Sequence, residues 1–430
     1  MLAVIIAGGK GTRLGPLARE IPKPMVKLCG KPILLHQIEM AKKNGIADFL
    51  ILTGHLGHVI QDYFSDGSYF GVRIKYVQES HPMGTAGSLL NAKDMLPENF
   101  FVFYGDTIMD ISLDKMQAYH EQEESYGTLL VHPNDHPQDS DLLEVDDSGN
   151  VLSFHAKPRP DNKIYPNIVN AGLYILNSKI LQFIDGYKAS DLGQDVFPAI
   201  VSEGGRVRAY RSPEYIKDMG TPERYAKVEG DLVSGKVSAK NLRNPQKAIF
   251  LDRDGVINFD HGLVKKPDEL NLIPGSPEAI RMINEAGYLC IVVTNQPGIA
   301  KNFFSFQELY LIFQKLDTEL GNQGAYIDKV YFCPHHPEGG WPDERNEYKT
   351  SCECRKPNPG LIHRAAQEYN IDLQRSILIG DRIVDVQAGE QAGVGLNIQI
   401  ESNKENALLN AVIHYINSAA HHSASKSSTG

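Results

Sequence analysis

Residues 2–14 read LAVIIAGGKGTRL, and residues 248–255 read AIFLDRDG. Each is a short, wholly apolar run that stops abruptly, the first at glycines and the second at a carboxylate pair. A strand buried on both faces reads this way, and such strands belong to parallel sheets covered by helices. Outward from each run the same rhythm repeats. After the first come a helical spacing over 33–44, a strand at 49–53, another at 73–78, a helix over 86–96 and a strand at 100–104. After the second come strands at 289–294 and 377–381. The expected fold class is therefore α/β: two domains, each a mainly parallel sheet with helices on both faces.

The stretch between the halves is polar and holds Gly, Ser, Asn and Pro. The expected division is a first domain over 1–235, a linker over 236–246, a second domain over 247–417 and a disordered tail over 418–430. The tail carries a His421–His422 pair, read as solvated. With 430 residues, each half can bury a core of its own. Apolar residues make up 42% and charged residues 22%, as in soluble globular proteins. A formal charge of −10 argues against nucleic acid or an acidic membrane surface as partner. No apolar run is long enough to span a bilayer, and no basic stretch precedes the first strand as in a secretory leader. The expected compartment is the cytoplasm and the expected partners are small molecules; a homo-oligomer is left open.

The loop after the first strand, Gly8-Gly9-Lys10-Gly11-Thr12-Arg13-Leu14, lets backbone N–H groups approach a phosphate chain. It is neither the dinucleotide fingerprint nor a Walker loop. Lys23 sits between Pro22 and Pro24 in a stiff segment. Gly105-Asp106 ends a strand, where open sheets bind ligands and a carboxylate suits magnesium. With Gln78-Glu79, Gly84-Thr85-Ala86-Gly87, Lys157-Pro158, Asn170-Ala171-Gly172 and Lys217-Asp218-Met219-Gly220-Thr221, this order resembles the sugar-phosphate nucleotidyltransferase family over about residues 1–230. The resemblance implies roles. Gly8, Gly9, Gly11, Thr12 and Thr85 should line the nucleotide, with Gln78 and Gly84 against the base. Arg13 should steady the leaving pyrophosphate and Lys23 the α-phosphate. Asp106 and Asp218 should share a magnesium ion. Lys157, Asn170 and Gly172 should hold the sugar phosphate. One departure stands out: His155-Ala156-Lys157-Pro158 lacks the Glu that the family often places before Lys-Pro, which puts the usual hexose preference in question.

In the second half, Asp252 and Asp254 stand two residues apart at a strand end. One can attack phosphorus while the other moves protons. Thr294-Asn295, Arg355-Lys356-Pro357, Gly380-Asp381 and Asp385 follow in the order of the haloacid dehalogenase superfamily of phosphatases, which this half resembles over about 247–415. The resemblance implies Asp252 as nucleophile and Asp254 as general acid/base. Thr294 and Lys356 should bind phosphate. Asp252, Asp381 and the Asp254 carbonyl should hold magnesium, with Asp385 either orienting that shell or capping a helix. The short spacings leave little room for a cap domain. Cys333, His335, Cys352 and Cys354 make a closed four-ligand set of the kind that holds structural zinc, with His336 as the alternative to His335.

The texts DRDGVIN, TNQPGIA, CPHHP and CECRKP are similar to heptose 1,7-bisphosphate phosphatases, with histidinol-phosphate phosphatases as the nearest rival. Arg355 would then meet the distal end of the substrate, with Asn295 and Gln296 supporting the loops. Removal of a C7 phosphate leaves a sugar 1-phosphate, the substrate class expected of the first half. The joint expectation is a two-step route to a nucleotide-activated heptose, with GTP as donor. The alternative is a mannose 1-phosphate guanylyltransferase fused to a histidinol-phosphate-type or other small-metabolite phosphatase.

Overall fold

The computed structural model describes residues 1–9, 21–160, 163–186 and 188–416. Gly11, Thr12, Arg13 and the histidine pair of the tail therefore lie outside the described residues. Two compact units are resolved: Met1–His132, Asp141–Lys157 and Ile168–Leu242 form the first, and Pro133–Ser140, Pro158–Asn167 and Arg243–Gly430 the second. Among the described residues no helix is long and apolar enough to cross a membrane.

The first unit contains, in chain order, β1 (Leu2–Ala7), the short pair β2 (Lys27–Leu28) and β3 (Lys31–Pro32), β4 (Asp48–Thr53), β5 (Arg73–Gln78), β6 (Asn99–Tyr104), β7 (Thr107–Asp110), β8 (Gly127–His132), β9 (Leu142–Val145), β10 (Val151–His155), β11 (Val169–Asn177), β12 (Val207–Arg211) and β13 (Tyr215–Asp218). The large sheet runs β10-β9-β11-β6-β1-β4-β5, with β8 joining β11 to β12. Its β6-β1-β4-β5 part is parallel. On the other side β11 pairs antiparallel with β6 and β8, so the sheet is mixed.

The apolar run of β1 follows from double-sided burial. Ala3, Ile5 and Ala7 join one core cluster with Phe49, Ile51, Phe101 and Phe103, while Val4 joins another with Leu50, Leu52, Phe100 and Val102. Alternate side chains thus point to opposite, equally dry faces. Each such buried side chain contributes roughly 2 kcal/mol, so a charge at Val4 or Ile5 would break the centre of the unit.

The helix expected over 86–96 is shorter: Gly84–Asn91 is α-helical and a separate 3₁₀ turn covers Lys93–Met95. The stretch read as a linker is partly folded. Lys236–Ala239 is helical with Val237 buried, Asn241 donates to Asp110 at 2.8 Å, and the Leu242 N–H donates to Glu214 at 2.9 Å.

The second unit holds β14 (Ala248–Leu251), β15 (Leu289–Asn295), β16 (Lys329–Cys333), β17 (Ile377–Gly380) and β18 (Leu396–Gln399) in the order β16-β15-β14-β17-β18, all parallel. Ile249, Leu251, Cys290, Val292 and Ile379 supply one buried face, and Phe250, Ile291, Val293 and Leu378 are buried on the other. The helix Phe306–Gly321 begins with a capping box in which Ser305 and Glu308 bond each other's backbone N–H. Segments 133–140 and 158–167, which leave the strands of the first half, pack within this unit. The Tyr165 and Asn167 N–H groups donate to Thr318 and Asp317 of that helix at 2.9 and 3.1 Å.

Candidate active sites

In the first unit the C-terminal ends of β1, β5 and β6 border a cleft of about 390 Å³ lined by Gly8, Gly9, Lys23, Glu79, Pro82, Gly84, Thr85, Tyr104 and Asp106, among others. Lys23 is buried at one end and its ammonium is bonded to the Asp106 carboxylate. The turn that carries Asp106 is fixed by a residue that sequence reasoning passed over. Gln37, fully buried on the helix Ile33–Lys43, donates its amide to the carbonyls of Tyr104 and Thr107 at 2.8 and 2.7 Å. A glutamine at an inward position of an apolar helix was the available signal.

Asp218 is brought beside this turn because β13 pairs with β7, and the Met219 N–H donates to the Asp106 carbonyl at 2.8 Å. Burial pushes the Asp218 carboxyl up, but Arg224 at 2.6 Å and the Gly220 N–H outweigh it and hold the group below the usual range. Asp106 in the turn before β7 and Asp218 at the end of β13, each facing a cation of the chain, offer an oxygen-only donor pair of the kind that suits magnesium.

At the other end the helix Gly84–Asn91 starts over the cleft. Gly84 has φ +75° and a Cβ there would stand 2.2 Å from the Ser190 carbonyl oxygen, so only glycine fits. Thr85 donates its hydroxyl to Asp191 at 2.8 Å. Gln78 is exposed and is absent from the described lining, whereas its neighbour Glu79 lines the cleft. Asn170 and Gly172 lie together on β11, where the Gly172 N–H donates to the Asn170 side chain. Lys157 is exposed, and its backbone N–H donates to Asp141 at 3.3 Å. In the departing stretch, Ser153 and Glu144 stand 3.1 and 3.7 Å from the His155 ring.

In the second unit three neighbouring strands deliver the site. Asp252 follows β14, Thr294 is the next-to-last residue of β15 and Asp381 follows β17. The Lys356 ammonium donates to Asp252 at 2.8 Å, to Asp385 at 2.6 Å and to the Val293 carbonyl at 2.8 Å. Burial alone would lower this lysine's pKa; the two carboxylates reverse that and keep it cationic. Burial pushes the Asp252 carboxyl up to about 6, with Lys356 opposing and Asp385 adding to the rise.

Asp252, Asp381 and Asp385 each offer an oxygen within 4.8 Å of the others. Asp381 Oδ1 is buried and, among the described residues, has no hydrogen-bond partner. A crowded carboxylate set with an orphaned oxygen fits a hard divalent cation. Two of these carboxylates, Asp252 and Asp381, belong to the expected set, whose third donor is the Asp254 backbone carbonyl, and Asp385 stands beside them where it can orient the shell. Asp385 also accepts from the Arg382 N–H at 3.0 Å, so it caps the helix Ile383–Ala392 as well.

The Asp254 carboxylate is held elsewhere. Arg253, fully buried, donates to it at 2.7 Å, Asn258 at 2.9 Å and Gln296 at 3.0 Å. Burial would raise its pKa, but these donors win and the group sits below the usual range. Gln296 also donates to the Thr294 hydroxyl at 3.0 Å, tying the Asp254 carboxylate to Thr294. Gly255 has φ +80°, and a Cβ there would lie 2.3 Å from Asp381 Oδ2.

Cys333, His335, Cys352 and Cys354 converge, with neighbouring ligand atoms 3.1–3.6 Å apart. A tetrahedral zinc with Zn–S near 2.3 Å needs ligand separations of about 3.8 Å, so the set fits with slight expansion. His336 is turned away, its Nδ1 facing the Glu338 backbone at 3.2 Å. The loop also positions the phosphate site. Arg355 donates to the His335 carbonyl at 3.1 Å, and Asn295 bonds the Lys356 backbone at both its N–H and its carbonyl.

Residues 2–234 match the nucleotidyl transferase family, and residues 353–398 match the HAD-hydrolase-like family. A D-glycero-beta-D-manno-heptose-1,7-bisphosphate 7-phosphatase of Pasteurella multocida is 41% identical over 159 residues, covering 37% of this chain and 84% of that protein. The phosphatase of the same name from Vibrio cholerae is 42% identical over 157 residues, covering 36% and 82%. Among solved structures, HddC from Yersinia pseudotuberculosis complexed with GMP-PN is similar at 27% identity with a TM-score of 0.47, over 54% of this chain and 99% of that one. The chain thus belongs to the nucleotidyl transferase family through residues 2–234 and, through its HAD-like half, to the family of the heptose-bisphosphate phosphatases: a transferase and a phosphatase in one polypeptide.

Proposed function

We propose that the two halves act in turn on one sugar. The second unit removes the C7 phosphate of D-glycero-D-manno-heptose 1,7-bisphosphate. The first transfers a nucleotidyl group, GMP from GTP, to the resulting heptose 1-phosphate and releases pyrophosphate. One observation carries the reading: the phosphatase relatives are named for a sugar 1,7-bisphosphate, and loss of its 7-phosphate yields the substrate class that a sugar-phosphate nucleotidyltransferase consumes.

In the phosphatase, Asp252 attacks the C7 phosphorus while Asp254 protonates the leaving sugar oxygen. Asp254 then takes a proton from the water that cleaves the aspartyl phosphate. Thr294 and Lys356 hold the phosphoryl oxygens, and Arg355 meets the far end of the substrate. In the transferase an oxygen of the sugar 1-phosphate attacks the α-phosphorus. Arg13 and Lys23 neutralise charge, and Lys157, Asn170 and Gly172 orient the sugar phosphate, so positioning carries most of the rate. Asp106 and Asp218 would hold one magnesium ion, and Asp252, Asp381 and the Asp254 carbonyl, with Asp385 beside them, a second; when bound, the ions would supply charge neutralisation at both sites. Zinc on Cys333, His335, Cys352 and Cys354 is structural, because no ligand position stays open.

The test is a one-pot assay with magnesium, either anomer of the bisphosphate and each nucleoside triphosphate, followed by phosphorus NMR and mass spectrometry. The expected result is loss of one phosphate, then one nucleotide-heptose and pyrophosphate. Phosphate release without nucleotide sugar would detach the first half from this route, and an untouched bisphosphate would sink the heptose reading.

A further inference from the structure

We propose that the helix Phe306–Gly321 of the second unit is a positioning element of the transferase: through segments 133–140 and 158–167 it holds the residues that orient the sugar 1-phosphate. The inference rests on the reading of the first unit as a sugar 1-phosphate transferase and adds what keeps the sugar end of that site in shape.

Within its first half the chain passes from one unit to the other four times, after residues 132, 140, 157 and 167. These passages fall at the residues assigned to the sugar phosphate. Lys157 is the last residue before one of them, and Asn170 stands three positions after another. Asp141, the first residue after a third, ties the two together. Its carboxylate accepts the Lys157 N–H at 3.3 Å, and its carbonyl accepts the Asn170 N–H at 3.2 Å. The fourth passage follows His132, whose strand partner is Val169, the neighbour of Asn170. Gly172 is carried along, because its N–H donates to the Asn170 side chain. Every backbone point of this small frame thus adjoins a segment that folds within the second unit.

The two segments are bound to each other and to the helix. Asn134 and Asn167, both buried, bond reciprocally: the Asn134 N–H donates to the Asn167 side chain at 3.1 Å, and the Asn167 amide donates to the Asn134 carbonyl at 2.8 Å. The Arg159 guanidinium donates to the carbonyls of Pro137, Gln138 and Ser140. It therefore links the chain two residues beyond Lys157 to the residue just before Asp141. On the helix, the Thr318 hydroxyl accepts the Tyr165 N–H at 2.9 Å and stands 3.1 Å from the Tyr165 carbonyl, while Asp317 accepts the Asn167 N–H at 3.1 Å. Pro137 rests on Gly321, where a Cβ would stand 2.5 Å from its ring. Buried amides bonded in this way keep one geometry, since any slip leaves a polar group unpaired. Ligand-orienting groups next to loops need such a rigid support, and here the helix supplies it.

The test uses the full-length chain and two residues with no part in either reaction. Thr318→Val removes the hydroxyl, Gly321→Ala displaces Pro137, and Thr318→Ser keeps the hydroxyl as the conservative control. Amide hydrogen exchange at Lys157 and Asn170 is expected to quicken in the first two variants and to stay as in the unaltered protein in the third. The Glu79 amide, bonded to the Thr53 carbonyl in the same unit, should not change in any of them. With GTP and heptose 1-phosphate, the KM for the sugar should rise about 10-fold in the first two variants. The KM for GTP and phosphate release from the 1,7-bisphosphate should be unchanged. Unaltered exchange at Lys157 and Asn170, an unaltered sugar KM, or an equal loss of both activities would overturn the inference. Quickened exchange in a chain that transfers nucleotide to no sugar phosphate would uphold the positioning and sink the transferase reading instead.

Discussion

Two residues of the phosphatase site divide geometry from chemistry. Asp252→Asn keeps the shape and removes the nucleophile, so phosphate release should fall by about 10³-fold or more. Triphosphate binding to the first unit should be untouched, which calorimetry on the same sample checks. Gly255→Ala tests geometry, since the added methyl would meet Asp381 at 2.3 Å from a backbone at φ +80°. It should cost roughly 2 kcal/mol of stability or more together with most phosphatase activity, read by thermal melting and phosphate release. Many of the residues assembled at the sites could be read from the chain because strand-end chemistry is written in contiguous text, as in 252–255 and 105–106. What could not be read was set by distance in sequence. Gln37 bonds carbonyls about 67 to 70 positions away. Asp385 reads in the sequence as either an orienter of the metal shell or a helix cap, and only the fold shows it doing the second while standing within reach of Lys356, Asp252 and Asp381. The step from Gln78 to Glu79 is a single change of face, which a strand boundary placed by composition does not resolve.

At the level of elements, the loop from Cys333 to Cys354 is exposed or half-buried from Pro337 onward and leads directly to Arg355 and Lys356. Cys352→Ser should therefore release bound metal, measured by elemental analysis. It should also lower phosphatase activity although no reacting group has been changed, because Arg355 loses its fixed partner at the His335 carbonyl. Exhaustive chelation of the unaltered protein should have the same effect, and zinc should reverse it. Retained activity after loss of metal would contradict the structural role. The parallel strands were legible from their uninterrupted apolar runs. The antiparallel side of the sheet was not, since β11 joins β6 on one edge and β8 on the other by register across intervening chain rather than by local pattern.

Over the whole molecule, sequence order and unit membership diverge. Residues 1–235 read as one domain, yet segments 133–140 and 158–167 belong to the second unit, with Asn167 2% exposed and Pro137 buried. No composition signal marks them, because what they pack on lies more than a hundred residues further along. A fragment ending at Leu242 should lose hydrogen-exchange protection at the Tyr165 and Asn167 amides, whose acceptors are Thr318 and Asp317. Protection equal to that of the full chain would show that the segments hold themselves. Such wiring also bears on heredity. A reading frame split near codon 243 would strand two stretches of one product away from the surface they fold on, so fission of the gene is a costlier change than the fusion that a tandem of two enzymes suggests.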